Sequence, residues 1–174
     1  PPQGGRAPGA AVFLITTDAA FGRAVEAEME AQMKELPRCE IIRSSVGDYA
    51  KAFLCRDAAQ CFDVVNKIAP EHLEIELPDP ERYLPLVKNA GAIFLGKFTS
   101  EPIGDYMAGP NHTLPTSGTA AFSSPLGVYD FVKHSSVEIY TEEAFRQISA
   151  KVQRFARAEG LEAHARAMEV RDEG

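Results

Sequence analysis

A carboxylate beside an imidazole can divide two proton transfers between neighbours, and this 174-residue chain carries the pair at Glu71-His72. Histidine titrates nearest neutral pH, which suits it to acid–base work. The pair follows Pro70, which stops a helical pattern, so it sits in a turn able to present both groups to one cleft. A surface glutamate beside a packed or capping histidine is the plain alternative. A second polar run reads Asp105-Tyr106-Met107-Ala108-Gly109-Pro110-Asn111-His112, opened by Gly104. Its glycines permit unusual backbone angles and close ligand approach. Asp105 could ligate a metal and His112 could hydrogen-bond a substrate; an Asx-type turn with a satisfied histidine is the alternative. Glu159 and His164 straddle Gly160 and reach a common site only if the tail folds over it. Otherwise they are ordinary polar residues of a terminal helix. His134, beside Lys133, reads as a surface residue.

Bulk properties narrow the partners. Lys and Arg number 18 against 25 Asp and Glu, a net charge of −7. Phosphate backbones want a basic face, so nucleic acid is not an expected partner. No apolar run approaches the roughly 20 residues that span a bilayer, and no signal peptide opens the chain, so no membrane partner is expected either. Cys39, Cys55 and Cys61 form no CxxC pair and read as reduced thiols of a cytoplasmic protein. There is no GxGxxG after a strand, no phosphate loop, no HExxH and no GxSxG.

The elements that must hold these groups follow from periodicity. Ala11–Thr16, Glu40–Ser44, Lys51–Cys55, Leu73–Leu77, Ala92–Gly96 and Val137–Tyr140 read as strands. Asp18 caps a helix with Phe21, Val25, Met29 and Met33 on one face, before Pro37. Asp57 caps a second helix running to Ile68, Pro80–Val87 reads as a short helix, and Thr141 caps a long amphipathic one broken at Gly160. Strands alternating with helices predict an α/β fold, Rossmann-like, with a largely parallel sheet, crossover helices and a C-terminal helical tail. Sites in such sheets form at the carboxyl ends of strands, and the Gly104–Thr119 segment follows one. The stretch from Gly104 to Tyr129 reads as a long functional loop with apolar anchors.

Several blocks, in order, resemble one family. They are Ile68-Ala69-Pro70-Glu71-His72-Leu73-Glu74, then Asn89-Ala90-Gly91-Ala92-Ile93-Phe94-Leu95-Gly96, then the run from Gly104 through Asn111-His112-Thr113-Leu114-Pro115-Thr116-Ser117-Gly118-Thr119. Phe122 to Phe131 continues the third block, and Glu159-Gly160-Leu161-Glu162-Ala163-His164 closes the set. Together they are similar to histidinol dehydrogenase, from about Ala11 onward. The resemblance implies two successive NAD-dependent oxidations, of histidinol through the aldehyde to histidine. It implies that Glu71 and His72 are the acid–base pair. It implies that Asp105 and His164 ligate a zinc ion that holds the substrate. His72, Asp105, Glu159 and His164 match substrate-contacting positions, and His112 a nearby polar one without an assigned role. It further implies a homodimer in which the C-terminal tail crosses to the other subunit.

Two departures qualify the resemblance. Family members are more than twice as long, and the part without a counterpart here carries most of the cofactor contacts. Their remaining zinc ligands are a Gln and a His three residues later; here Gln3 fits, but Arg6 stands in the place of the His. A guanidinium stays protonated and ligates zinc poorly. The expected organisation is therefore a junction over 1–10, an incomplete Rossmann-like domain over 11–127, and a strand with a dimer-contacting helical tail over 128–174. By itself such a chain is expected to be inactive; a non-catalytic binding or assembly module is the alternative.

Overall fold

The structure is a computed structural model and describes residues 10–37 and 39–172. The expected junction, with Gln3 and Arg6, lies outside the described residues. The rest falls into two units, one ending at Phe131 and one beginning at Val132.

The first unit is mixed α/β. Strand β1 (Phe13–Thr16) leads through α1 (Ala19–Met33) and α2 (Cys39–Tyr49) to β2 (Lys51–Leu54), and α3 (Ala58–Ile68) leads on to β3 (His72–Ile75). A 3₁₀ segment, Pro80–Leu86, then reaches β4 (Ala92–Leu95), followed by the short α4 (Glu101–Tyr106). The strands form two parallel pairs. β1 lies on β2 from Phe13↔Lys51 to Thr16↔Leu54, and β3 on β4 from His72↔Ala92 to Ile75↔Leu95. Among the described residues no ladder joins the pairs into one sheet. They share packing instead: Phe62 and Val65 of α3 and Leu73 and Ile75 of β3 form the core, and Ile15 of β1 and Leu95 of β4 pack against it.

The caps read from the sequence are formed. Asp18 accepts from Ala20 and Phe21 at the start of α1, and Asp57 accepts from Gln60 at the start of α3. Two of the expected strands are not strands. Glu40–Ser44 lies inside α2, where Ile42 and Ser45 are the buried pair, three residues apart as on one helix face. The Ser45 hydroxyl donates to the Ala10 carbonyl and ties this face to the chain entering β1. A short apolar run does not by itself separate strand from helix. Val137–Tyr140 alternates correctly but forms no regular element, with Val137 and Ile139 exposed. Alternation makes a strand only where another strand supplies the hydrogen bonds. The Gly104–Tyr129 stretch is also less irregular than expected: α4 ends inside it, and 3₁₀ turns occupy Thr119–Ala121 and Val128–Phe131.

The second unit is a helical hairpin of α5 (Glu142–Ala158) and α6 (Glu162–Asp172), so the short terminal segment expected at His164 is a full helix. Thr141 caps α5 through Ala144 N–H, and Gly160 turns the chain at φ +75°. Arg157 then bridges Glu162 and Glu169, while Ser149 and Gln153 of α5 both donate to Asp172.

Asn66 fixes how the chain enters β4. Its amide donates to Leu86 O and its carbonyl oxygen accepts from Lys88 N–H (2.7 Å) and Asn89 N–H. With about 1 kcal/mol net per such bond, Asn66→Ala should lower stability by about 2–3 kcal/mol, read from urea unfolding of the chain. Burial first, then the neighbouring Cys55, push Cys61 up from 9.0 to about 11. The folded state therefore keeps a proton that the unfolded chain loses, so stability should fall between pH 9 and 11. Denaturation midpoints across that range should flatten in Cys61→Ala; an equally steep fall in both proteins would contradict the assignment.

Candidate active site

The site is built where α3 ends. Ala69 takes a left-handed conformation (φ 50°) and caps α3, its N–H donating to Val65 O, and Pro70 blocks any further turn. The chain is then caught by β4: Gly91 N–H donates to Pro70 O and Ala92 N–H to Glu71 O. Glu71 and His72 sit at that junction, and His72 is the first residue of β3. The approach admits no side chain at 91, because a Cβ there would lie 2.6 Å from Glu71 O and 3.2 Å from Pro115 Cδ. The glycine-rich loop closes on the same turn. Pro115 is buried, Leu126 N–H donates to Thr113 O, and Gly118 (φ +82°) passes near Ile68 O.

Alternation along β3 puts His72 and Glu74 on one face. Glu74 Oε1 accepts the Glu101 N–H at 3.0 Å, so it secures the first residue of α4. Ser100, the N-cap, makes no side-chain bond that would do so. The Glu101 side chain then lies against His72, with Oε1 3.8 Å from Nε2. On the other side of the ring, Glu71 Oε1 is 4.0 Å from Nδ1. The His72 and Glu101 side chains are only 4% and 5% exposed, against 32% for Glu71. Asp105 is four residues beyond Glu101, hence on the same face of α4. His112 Nδ1–H donates to Asp105 Oδ1 at 2.8 Å. Phe94 completes the wall: its ring is 6.0 Å from that of His72, and a Cβ on Gly104 would meet it at 2.6 Å.

One imidazole and two carboxylates, from His72, Glu101 and Asp105, thus bring ligand atoms within 4.8 Å of one another. Imidazole nitrogen and carboxylate oxygen are donors that zinc takes, so the donor chemistry fits a divalent cation. The structure brings together Glu71, His72, Asp105 and His112, all expected from the sequence. Glu159 and His164 lie in the second unit, both exposed, on either side of the Gly160 turn. Glu101 was missed. Its signals were the helix start Ser100-Glu101-Pro102 and the four-residue spacing to Asp105.

A buried imidazole with a carboxylate on each side is the equipment of an acid–base enzyme site, carried here on a mixed α/β unit. The family profile described as histidinol dehydrogenase matches residues 3–172. The chain is 50% identical over 159 residues to the histidinol dehydrogenase of Lactiplantibacillus plantarum and 49% identical over 159 residues to that of Bacillus subtilis. Each alignment covers 91% of this chain but 37% of the relative. A crystal structure of histidinol dehydrogenase from Elizabethkingia anophelis matches 99% of this chain with a TM-score of 0.85 at 31% identity, over 40% of its own length. The chain belongs to the histidinol dehydrogenase family, and it spans well under half the length of these relatives.

Gly91 and the Glu71 backbone are in contact, so Gly91→Ala must move one of them. Overpacking of this kind costs about 1–3 kcal/mol. Gly91→Ala should therefore lower the unfolding free energy by that amount, read from urea denaturation, and shift the amide resonances of Glu71 and His72; an unchanged spectrum would show that the turn is not clamped there.

Proposed function

We propose that this chain supplies the acid–base and part of the zinc-binding side of a histidinol dehydrogenase, an oxidoreductase of the cytoplasm. The observation that carries the reading is His72, buried between Glu71 and Glu101 with Asp105 alongside. In the first oxidation the alcohol carbon gives up a hydride and its hydroxyl gives up a proton; His72 takes the proton. The aldehyde then adds water: Glu71, the more exposed carboxylate, removes a proton from that water as the C–O bond forms, and His72 returns its proton to the carbonyl oxygen. The resulting hydrate is the alcohol of the second oxidation, and His72 again takes the hydroxyl proton. Phe94 and the buried Glu101 side chain wall one side of the imidazole.

Zinc, when bound, would fix the substrate and polarise its oxygen. Asp105 would hold it, oriented by His112 as metal-ligating groups usually are by a further partner. His164 would be a second ligand, arriving from the other chain of an intertwined homodimer, with Glu159 beside it on the substrate; Gln3 would be a third. A nicotinamide cofactor, when bound, would supply the hydride acceptor, and its contacts are expected in the length that this chain does not span. We infer a Rossmann-like unit over 11–127 and a dimer-contacting tail over 128–174. We infer too that the chain alone does not turn over.

Mixing the purified chain with a separately produced polypeptide covering the remaining family length, with zinc, NAD and histidinol, should restore NADH production that neither part shows alone. Stable association without activity, with zinc present, would favour the non-catalytic module that Arg6 suggests. In the restored enzyme His72→Asn should lower kcat by about 10²–10⁴-fold, the usual contribution of a positioned acid–base group. Glu71→Gln should suppress the second oxidation more than the first, read as accumulation of the aldehyde.

A further inference from the structure

We propose that Glu101 is a positioning residue for His72: its buried carboxylate, 3.8 Å from Nε2, favours the ring proton on that nitrogen by charge and so leaves Nδ1, on the Glu71 side, as the nitrogen that accepts the substrate proton. The proposal rests on His72 being the base of the reading above. It starts from a choice the geometry imposes. A neutral imidazole carries one proton, and the hydrogen bond made by one nitrogen decides which nitrogen is basic. His72 has a carboxylate near each nitrogen at almost equal distance, 3.8 Å to Glu101 and 4.0 Å to Glu71.

Distance does not choose between them; environment does. The Glu101 side chain is 5% exposed, whereas that of Glu71 is 32% exposed. At equal distance the attraction scales inversely with the local dielectric, and passing from water to a protein-like surrounding of about 20 strengthens it about fourfold. The buried carboxylate therefore wins the proton-bearing nitrogen. The residues that could loosen Glu101 are themselves engaged. Its N–H is fixed on Glu74 Oε1 (3.0 Å), and α4 is held against β4 by the Gly104–Phe94 contact. Asp105, the other carboxylate within 4.8 Å of this group, accepts from His112 at 2.8 Å. Glu71, in a turn and about one-third exposed to solvent, keeps the freedom that water activation requires.

The test needs no turnover. Long-range proton–nitrogen NMR on the full chain reports each imidazole nitrogen, with His72 assigned by its loss in His72→Gln. In alkaline buffer the wild-type chain should show a protonated-type Nε2 and an unprotonated-type Nδ1. Glu101→Gln, which keeps size but can donate to Nε2, should reverse the pattern; Glu101→Asp should retain it in part. A wild-type proton on Nδ1, or a pattern unchanged in Glu101→Gln, would overturn the proposal. The wild-type reading stands even if a variant fails to fold. In the reconstituted enzyme Glu101→Gln should lower kcat about 10–100-fold, as loss of an orienting partner does, with KM within about twofold and partial rescue by Glu101→Asp. Zinc affinity should be unchanged; a tenfold or greater loss in Glu101→Gln would assign Glu101 to the metal and overturn the positioning role. The NMR result is independent of activity, so failure here is distinct from failure of the functional reading.

Discussion

The close approach of Gly91 to the carbonyl of Glu71 is the constraint on which the site depends. It lets β4 take the Pro70 and Glu71 carbonyls at the moment the chain leaves α3. That bond pair sets the register of β3 on β4, and the register sets the face on which His72 and Glu74 project. Glu74 then anchors α4, and α4 delivers Glu101 and Asp105 to His72. A shift of one residue would turn His72 away from α4. The strain of Ala69 in the left-handed region, about 1–2 kcal/mol for a residue with a Cβ, is sustained because Ala69 is buried and bonded at the end of a packed helix.

The sequence was most legible where local chemistry decides. Asp18, Asp57 and Thr141 cap the helices they were expected to cap, because an oxygen within three residues of an amide needs no distant partner. The apolar runs of β1, β2, β3 and β4 were recognised, with ends differing by one or two residues. It was least legible where the outcome depends on a neighbour. Glu40–Ser44 became helix because Ser45 and Ile42 had something to pack and bond against. Val137–Tyr140 formed no strand for want of a partner strand beside it. The split of the strands into two pairs has the same origin, since pairing is not a local property.

The candidate site follows the same division. Glu71-His72 stood out because the two groups are adjacent, and Asp105 and His112 because glycine and proline frame them. Glu101 did not, because its importance lies in a contact across 29 positions with His72. Several large apolar side chains near the site's loop, Tyr106, Met107, Phe122, Val128, Tyr129 and Phe131, are largely exposed. That fits a chain aligned to 37–40% of the length of its relatives.

The most direct measurement is a crystal structure of the chain assembled with a polypeptide covering the remaining family length, grown with zinc and histidinol. The substrate hydroxyl should lie within hydrogen-bond distance of His72, with Glu71 on the face where water would approach and the zinc on Asp105. Histidinol bound away from His72, or zinc held without Asp105, would contradict the proposed function.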